Sequence, residues 1–240
     1  SKTFVYRIHD QPDPQKLESL RQVVAPFGYK LKTSGTKGAI SKSLNALMEG
    51  AQGKNEQKLI ETVALRAMMK AKYSTHNIGH YGLAFDYYTH FTSPIRRYPD
   101  TMVHRLLTKY QEGGRSANRD KYEELCEHCS DMEQVAQQAE RDSIKYKMVE
   151  FMEDKIGEVY DAHISGIQSY GIYCEIDENH CEGMVPMHDL DDDYYDFDEK
   201  NYRLVGRRHH HKYQLGDPIR IQVARANLEK RQLDFTISDK

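Results

Sequence analysis

Tryptophan is absent from the 240 residues, so intrinsic fluorescence rests on the 17 tyrosines. No run of 18 or more apolar residues occurs and the N-terminus does not look like a signal. Neither a membrane span nor secretion is expected, and the expected location is cytoplasmic. A surplus of positive charge is also lacking: 34 Lys+Arg face 37 Asp+Glu, for a net charge of −3. Generic polyanion binders are usually basic, so this total argues against one. A channel can still concentrate positive charge locally. Cysteines number four. Cys126 and Cys129 form a CxxC around His128 inside a helical pattern, and no second CxxC follows. Cys174 and Cys181 fall on a predicted hairpin in another domain. A structural zinc site needs four ligands at paired spacings, so reduced, half-buried thiols are the expectation.

What the chain does have is concentrated in Tyr81–Leu107, YGLAFDYYTHFTSPIRRYPDTMVHRLL. Tyr81, Phe85, Tyr87, Tyr88, Phe91 and Tyr98 alternate with His80, His90 and His104 and with Arg96, Arg97 and Arg105. Ser93 suits an N-cap and Pro94 a first helical residue, so a helix is predicted to start at Pro94. Arg96 would then lie in its first turn, where free N–H groups and the dipole favour phosphate and the guanidinium fork matches its oxygens. Pro99 should leave a kink or an irregular first turn. On residue types alone, a buried aromatic layer with surface arginines is an equal reading.

The flanking elements follow from periodicity. Residues 1–9 look extended. Asp13-Pro14 caps a helix whose apolar face is Leu17, Leu20, Val23 and Val24, ended by Gly28. Residues 31–40 are a predicted loop. Ser41 caps a short helix with Leu44, Leu47 and Met48 inward, and Asn55 begins a longer helix through Tyr73. A helix over 118–154 carries Tyr122, Leu125, Cys129, Met132, Val135, Ala136 and Ala139 on one predicted packing face. From Lys155 the pattern alternates: 156–167, 170–176, 181–190, 218–227 and 232–238 are predicted strands. Five short strands with a long insertion before the fourth suggest an OB-type barrel. Arg225, on the fourth strand, is a candidate phosphate contact. The expected class is α+β: a mostly helical part, 1–154, followed by a five-stranded OB-fold β-barrel, 155–240.

HFTSPIRRYPD followed by HRLL resembles the signature near the end of the catalytic domain of the RNase II / RNase R (RNB) exoribonucleases, nearest the RNase R branch. YRIHDQPDPQKLESLR is similar to RNase R just downstream of its catalytic carboxylates. The resemblance implies that Arg96 sits in the active site and grips the phosphate near the RNA 3′ end. Ser93 and Arg97 are taken with it as RNA-binding. Glu140, in Glu140-Arg141-Asp142, matches a glutamate that the family places near the 3′-terminal nucleotide; the triplet also fits plain solvated helix charge. The wording SYGIYCEI, EGMVPMHDL and GDPIRIQV resembles an S1-type RNA-binding domain. Tyr170, Tyr173 and His188 occupy the positions where such domains carry Phe, Phe and His for base stacking; the alternative for Tyr173 is barrel filling.

Two motifs stand apart. Asp189, Asp191, Asp192, Asp193, Asp196, Asp198 and Glu199 resemble an oxygen-rich metal site, but interleaved Tyr194, Tyr195 and Phe197 favour a turn with aromatic anchoring. Arg203, Arg207, Arg208, His209, His210, His211 and Lys212 look like a flexible loop that touches RNA phosphates, or a solvated loop with no role.

The family holds Mg²⁺ with clustered aspartates earlier in its catalytic domain. Here Asp10, Asp13, Asp86 and Asp100 are scattered, so no metal site is assigned and the Mg²⁺ ligands are expected outside this chain. The resemblance implies the C-terminal part of a processive hydrolytic 3′→5′ exoribonuclease that degrades single-stranded RNA to nucleoside 5′-monophosphates, inactive alone. Its partners would be single-stranded RNA and the missing N-terminal part of the same protein, with self-association through an exposed apolar face. The alternative is a non-catalytic RNA-binding module acting through its S1-type domain. A weaker third is a metal-binding protein using the cysteines, the acidic run or the His block.

Overall fold

The computed structural model describes residues 2–54, 56–199 and 201–238. In chain order the elements are β1 (Tyr6–Ile8), α1 (Pro14–Val24), α2 (Lys37–Ala51), α3 (Gln57–Ala67), β2 (Lys72–Ser74), α4 (Tyr98–Gln111) and α5 (Arg119–Met152). There follow β3 (Val159–Gln168), β4 (Gly171–Ile176), β5 (Glu182–Pro186), β6 (Tyr195–Asp198), β7 (Arg203–Gly206), β8 (Lys212–Gln214), β9 (Pro218–Asn227) and β10 (Gln232–Ile237). The α+β expectation holds. Among the described residues no helix is long and apolar enough to cross a membrane. The chain forms two compact units, 1–16 with 66–139 and 17–65 with 140–240.

In the first unit, β1 pairs antiparallel with β2, Tyr6 opposite Ser74. Its core gathers Val5, Tyr73, Met102, Val103, Leu106 and Cys126, with Leu125 and Cys129 packed against it. Cys126 and Cys129 are therefore core side chains, and burial pushes both thiols up, Cys126 to about 12. The helix predicted through Tyr73 stops at Ala67, because pairing with β1 overrides local helix propensity. Its predicted start, Asn55, lies outside the described residues. The apolar stripe of α5 is only partly covered: Cys126 and Ser130 are buried, whereas Met132 and Val135 are 46% and 59% exposed.

The second unit contains most of α1, then α2 and the barrel. Asp13 Oδ1 accepts the Gln15 N–H at 2.8 Å, and Gly28 at φ 84° caps the turn after α1, as predicted. The cap of α2 is Thr36 rather than Ser41: its hydroxyl accepts the Ala39 N–H at 3.3 Å, so Gly38 lies inside the first turn instead of in a loop. Such a first-turn glycine loses no intrahelical N–H bond, because that N–H is an orphan there anyway.

The barrel closes in the order β10-β5-β4-β3-β9. Burial follows the alternation: Ile172, Cys174 and Ile176 point inward, as do Val185, Ile221, Val223, Leu233 and Phe235. Gly183 sits under Phe235, where an added Cβ would lie 2.5 Å from the ring. The insertion between β5 and β9 is itself a sheet, β6-β7-β8. Arg203 and Lys212, read from sequence as part of one loop, lie on β7 and β8.

Candidate nucleic-acid interface

The predicted helix start at Pro94 is not observed. Residues 94–96 form a turn, and α4 begins at Tyr98 with Arg97 as its N-cap, which has no side-chain cap. A helix running through Pro99 would lose its bond to the Ile95 carbonyl and clash with it. Starting at Tyr98 puts Pro99 in the first turn, where no N–H is needed. Arg96 therefore stands on a turn ahead of the helix, exposed, beside Ile95 at 97% exposure. Ser93 is not a helix cap. Its carbonyl accepts the N–H groups of Arg96 at 3.3 Å and Arg97 at 3.1 Å. Arg97 turns inward: its Nη2 donates to Asp100 Oδ2 at 2.9 Å.

The buried aromatic layer is not observed either. Phe85, Tyr87, Phe91 and Tyr98 are 43–76% exposed. The rings instead form an array. Phe85 stacks on Tyr88 at 5.9 Å, and Tyr88 meets His80 and His90 edge-on at 5.1 and 5.8 Å. His90 continues to Tyr73 at 5.5 Å, and the Arg7 guanidinium covers that ring at 4.6 Å while pairing with Glu133 at 2.7 Å. Exposed rings beside arginines are suited to base stacking with cation support.

On the barrel, Tyr170 occupies the β3–β4 turn and is 55% exposed. Its carbonyl accepts the Met187 N–H at 2.9 Å, which ties it to the turn carrying His188, whose side chain is 82% exposed. The Tyr170 hydroxyl lies 3.2 Å from that of Tyr173, with the rings edge-to-face at 6.4 Å. Tyr173 alternates outward on β4, so it does not fill the barrel. Burial and the Tyr170 hydroxyl push its phenol up to about 12.

The register aligns four residues across four strands: Tyr173 opposite Met184, Met184 opposite Asp234, and Asp234 opposite Arg225. Arg225 Nε donates to Asp234 Oδ2 at 2.8 Å. Thus Tyr170, Tyr173, His188 and Arg225 lie on neighbouring outer-face positions of one barrel.

Glu140 lies exposed on α5. Its triplet is not uniformly solvated, because Asp142 pairs with Arg231 of the β9–β10 turn at 3.1 Å. Arg141 and Lys145, with Ile144, Met148 and Glu182, line a cavity of about 210 Å³. Lys145 also borders a small cleft with Tyr173, Met184 and Asp234. Sequence reasoning missed Lys145; its signal was the four-residue step from Arg141 on one helix face.

The acidic run is used within the insertion. Asp196 receives both Arg207 Nε and Nη2, at 2.8 and 2.6 Å, and Asp198 receives Arg203 Nε at 2.8 Å. Asp193 accepts the N–H groups of Tyr194, Arg208 and His209 at 2.7–2.9 Å. Burial alone would raise its carboxyl, but the N–H groups of His209, Tyr194 and Arg208 outweigh that and hold it below its usual range. Among the described residues no three His, Cys, Asp or Glu side chains gather to hold a metal ion.

The RNB domain family model matches residues 1–113, and the S1 RNA binding domain model matches residues 153–238. The chain is 39% identical to ribonuclease R of Aquifex aeolicus, covering 98% of this chain and 34% of that protein. It is 40% identical to ribonuclease R 1 of Lactococcus lactis, covering 97% of this chain and 29% of that protein. It spans about a third of the length of such curated relatives. The apo form of Mycoplasma genitalium RNase R superposes with a TM-score of 0.85 at 27% identity, covering 99% of this chain and 38% of that one; its complex with ribose-methylated single-stranded RNA gives the same values.

Proposed function

The chain belongs to the RNase II / RNase R (RNB) family, and from that premise we propose that it forms part of a processive hydrolytic 3′→5′ exoribonuclease that degrades single-stranded RNA to nucleoside 5′-monophosphates. The observation that carries this reading is Arg96: an exposed guanidinium on a short turn, in a segment fixed by its own hydrogen bonds. There it would stabilise phosphate charge that grows in the transition state. Ser93 and Arg97 shape the same turn, and Glu140 would contact the terminal nucleotide. Tyr170, Tyr173, His188 and Arg225 would hold the strand by stacking and phosphate contact. Residues 1–154 are proposed as the end of the RNB domain and 155–240 as the S1-type domain.

Mg²⁺ would supply activated water and leaving-group stabilisation. The described residues do not fit a site for it, so its ligands are proposed to lie in the part of the relatives that this chain does not span. The alternative is an RNA-binding module that acts through its barrel face, where Tyr170 and His188 are exposed. The exposed Met132 and Val135 support self-association of the chain; a monomeric sedimentation profile at high concentration would count against it.

The deciding experiment incubates the chain with 5′-labelled single-stranded RNA and Mg²⁺, watching retention and label length together. Retention without shortening is expected. Shortening in 3′→5′ steps, free of contaminating nuclease, would place the metal ligands within these 240 residues.

A further inference from the structure

The segment Phe91–Arg97 contains no regular element apart from the turn at 94–96, yet α4 holds it at three points. The Thr101 hydroxyl donates to the Pro94 carbonyl at 3.2 Å. His104 Nε2 donates to the Phe91 carbonyl at 2.9 Å, with its ring stacked on Phe91 at 4.2 Å. The third point is Asp100, which is fully buried. Its Oδ2 accepts the Ser93 N–H at 2.8 Å and Arg97 Nη2 at 2.9 Å. One carboxylate oxygen thus grips both ends of the turn that carries Arg96. The guanidinium of Arg96 has no hydrogen bond or ion pair among the described residues.

Stability alone does not account for this arrangement. A buried ion pair is often no more stabilising than apolar side chains of the same size. Here Asp100 Oδ1 and Arg97 Nε are buried without a protein partner, which costs further free energy. What the pair does provide is a fixed backbone path from residue 93 to residue 97. We infer that Asp100 is a positioning residue: through Arg97 and the Ser93 N–H it sets the direction in which Arg96 presents its guanidinium to an RNA phosphate. This inference rests on the reading of Arg96 given above.

The test is a double-mutant cycle on the whole chain, with a single-stranded RNA oligonucleotide as probe and affinity measured across a salt series. Arg96→Ala is expected to weaken binding about tenfold and to reduce the slope of log affinity against log salt by about 0.7, the value of one phosphate contact. Asp100→Asn keeps an oxygen for the Ser93 N–H but offers no charge to Arg97. It is expected to reproduce both changes in the native background and to add nothing in the Arg96→Ala background. A purely structural Asp100 would lower the melting temperature and leave the salt slope unchanged in either background, which overturns the inference. An unchanged affinity and slope for Arg96→Ala would instead remove the Arg96 reading, and this inference with it. Should Asp100→Asn fail to fold, Arg97→Gln/Asp100→Asn removes both charges together and carries the same expectation. Failure of that variant to fold as well would mean that the fold alone requires the pair, and would overturn the inference.

Discussion

Tyr73 and His90 share a hydrogen bond of 2.8 Å between the phenol hydroxyl and imidazole Nδ1. The surroundings hold the imidazole neutral near pH 7. Burial first, then the Arg97 and Arg7 charges, push His90 down to about 4. Its ordinary value is about 6.5, so the unfolded chain takes up this proton before the folded one. The contribution to stability is complete above about pH 6.5 and is lost as pH falls toward 4. Urea titrations at pH 7 and pH 5 should show the native chain losing stability over that interval and His90→Gln losing less. Identical losses would show that His90 does not carry the effect.

Gly183→Ala should destabilise the barrel by about 1–3 kcal/mol, the usual cost of overpacking, because the new methyl would lie 2.5 Å from the Phe235 ring. Thermal unfolding monitored through tyrosine fluorescence reads this out. Phe235→Leu in the same chain should recover part of the loss, and no recovery would locate the strain elsewhere.

Tyr170→Ala should weaken binding to single-stranded RNA by roughly 1–3 kcal/mol, or about five- to 150-fold, if one base stacks there. Tyr170 is 55% exposed and lies in the β3–β4 turn, so the variant's melting temperature should stay within a degree or two of the native chain. His188→Ala should act in the same direction. Equal RNA affinity for both variants would remove the barrel face from the binding surface.

Asp193→Asn should loosen the turn that carries the three imidazoles. The amide carbonyl oxygen can keep some of the N–H bonds from Arg208 and His209, but it lacks the charge that strengthens them. Amide hydrogen exchange at Arg208 and His209 should accelerate while exchange at Ile172 and Val223 is unchanged. Protection retained at residues 208 and 209 would assign the turn's order to β7 and β8 alone.

The barrel was legible because its alternation survives folding: in YGIYCEI, Ile172, Cys174 and Ile176 turn in while Tyr173 and Glu175 turn out. The cap at Asp13 and the stop at Gly28 were legible for a similar reason, since both depend on neighbours within a few residues. The start of α4 was not. Ser93-Pro94 offers a good local start, but the competing demand of Pro99, five residues on, decides where the helix can begin. The inward turn of Arg97 depends on that shifted start. For α5, periodicity gave the apolar stripe correctly but not how far along it a neighbour reaches, so Met132 and Val135 were expected to be covered and are not. The split of the acidic run among Arg203, Arg207 and the backbone at 208–209 required the β6–β7 pairing, a non-local fact.

Arg225 does not wait for a phosphate with an empty hand, because Asp234 on the adjacent strand already holds it at 2.8 Å. Nε and Nη2 are both spent on that one carboxylate oxygen, so a phosphate contact proposed for this arginine would have to share the guanidinium with a resident anion. Association proposed at this point of the barrel would then resemble a sharing of one cation between two anions more than a simple capture. The net gain from such a contact would be smaller than for an unpaired arginine. A surface built this way would act less as an anchor than as a bearing under the strand.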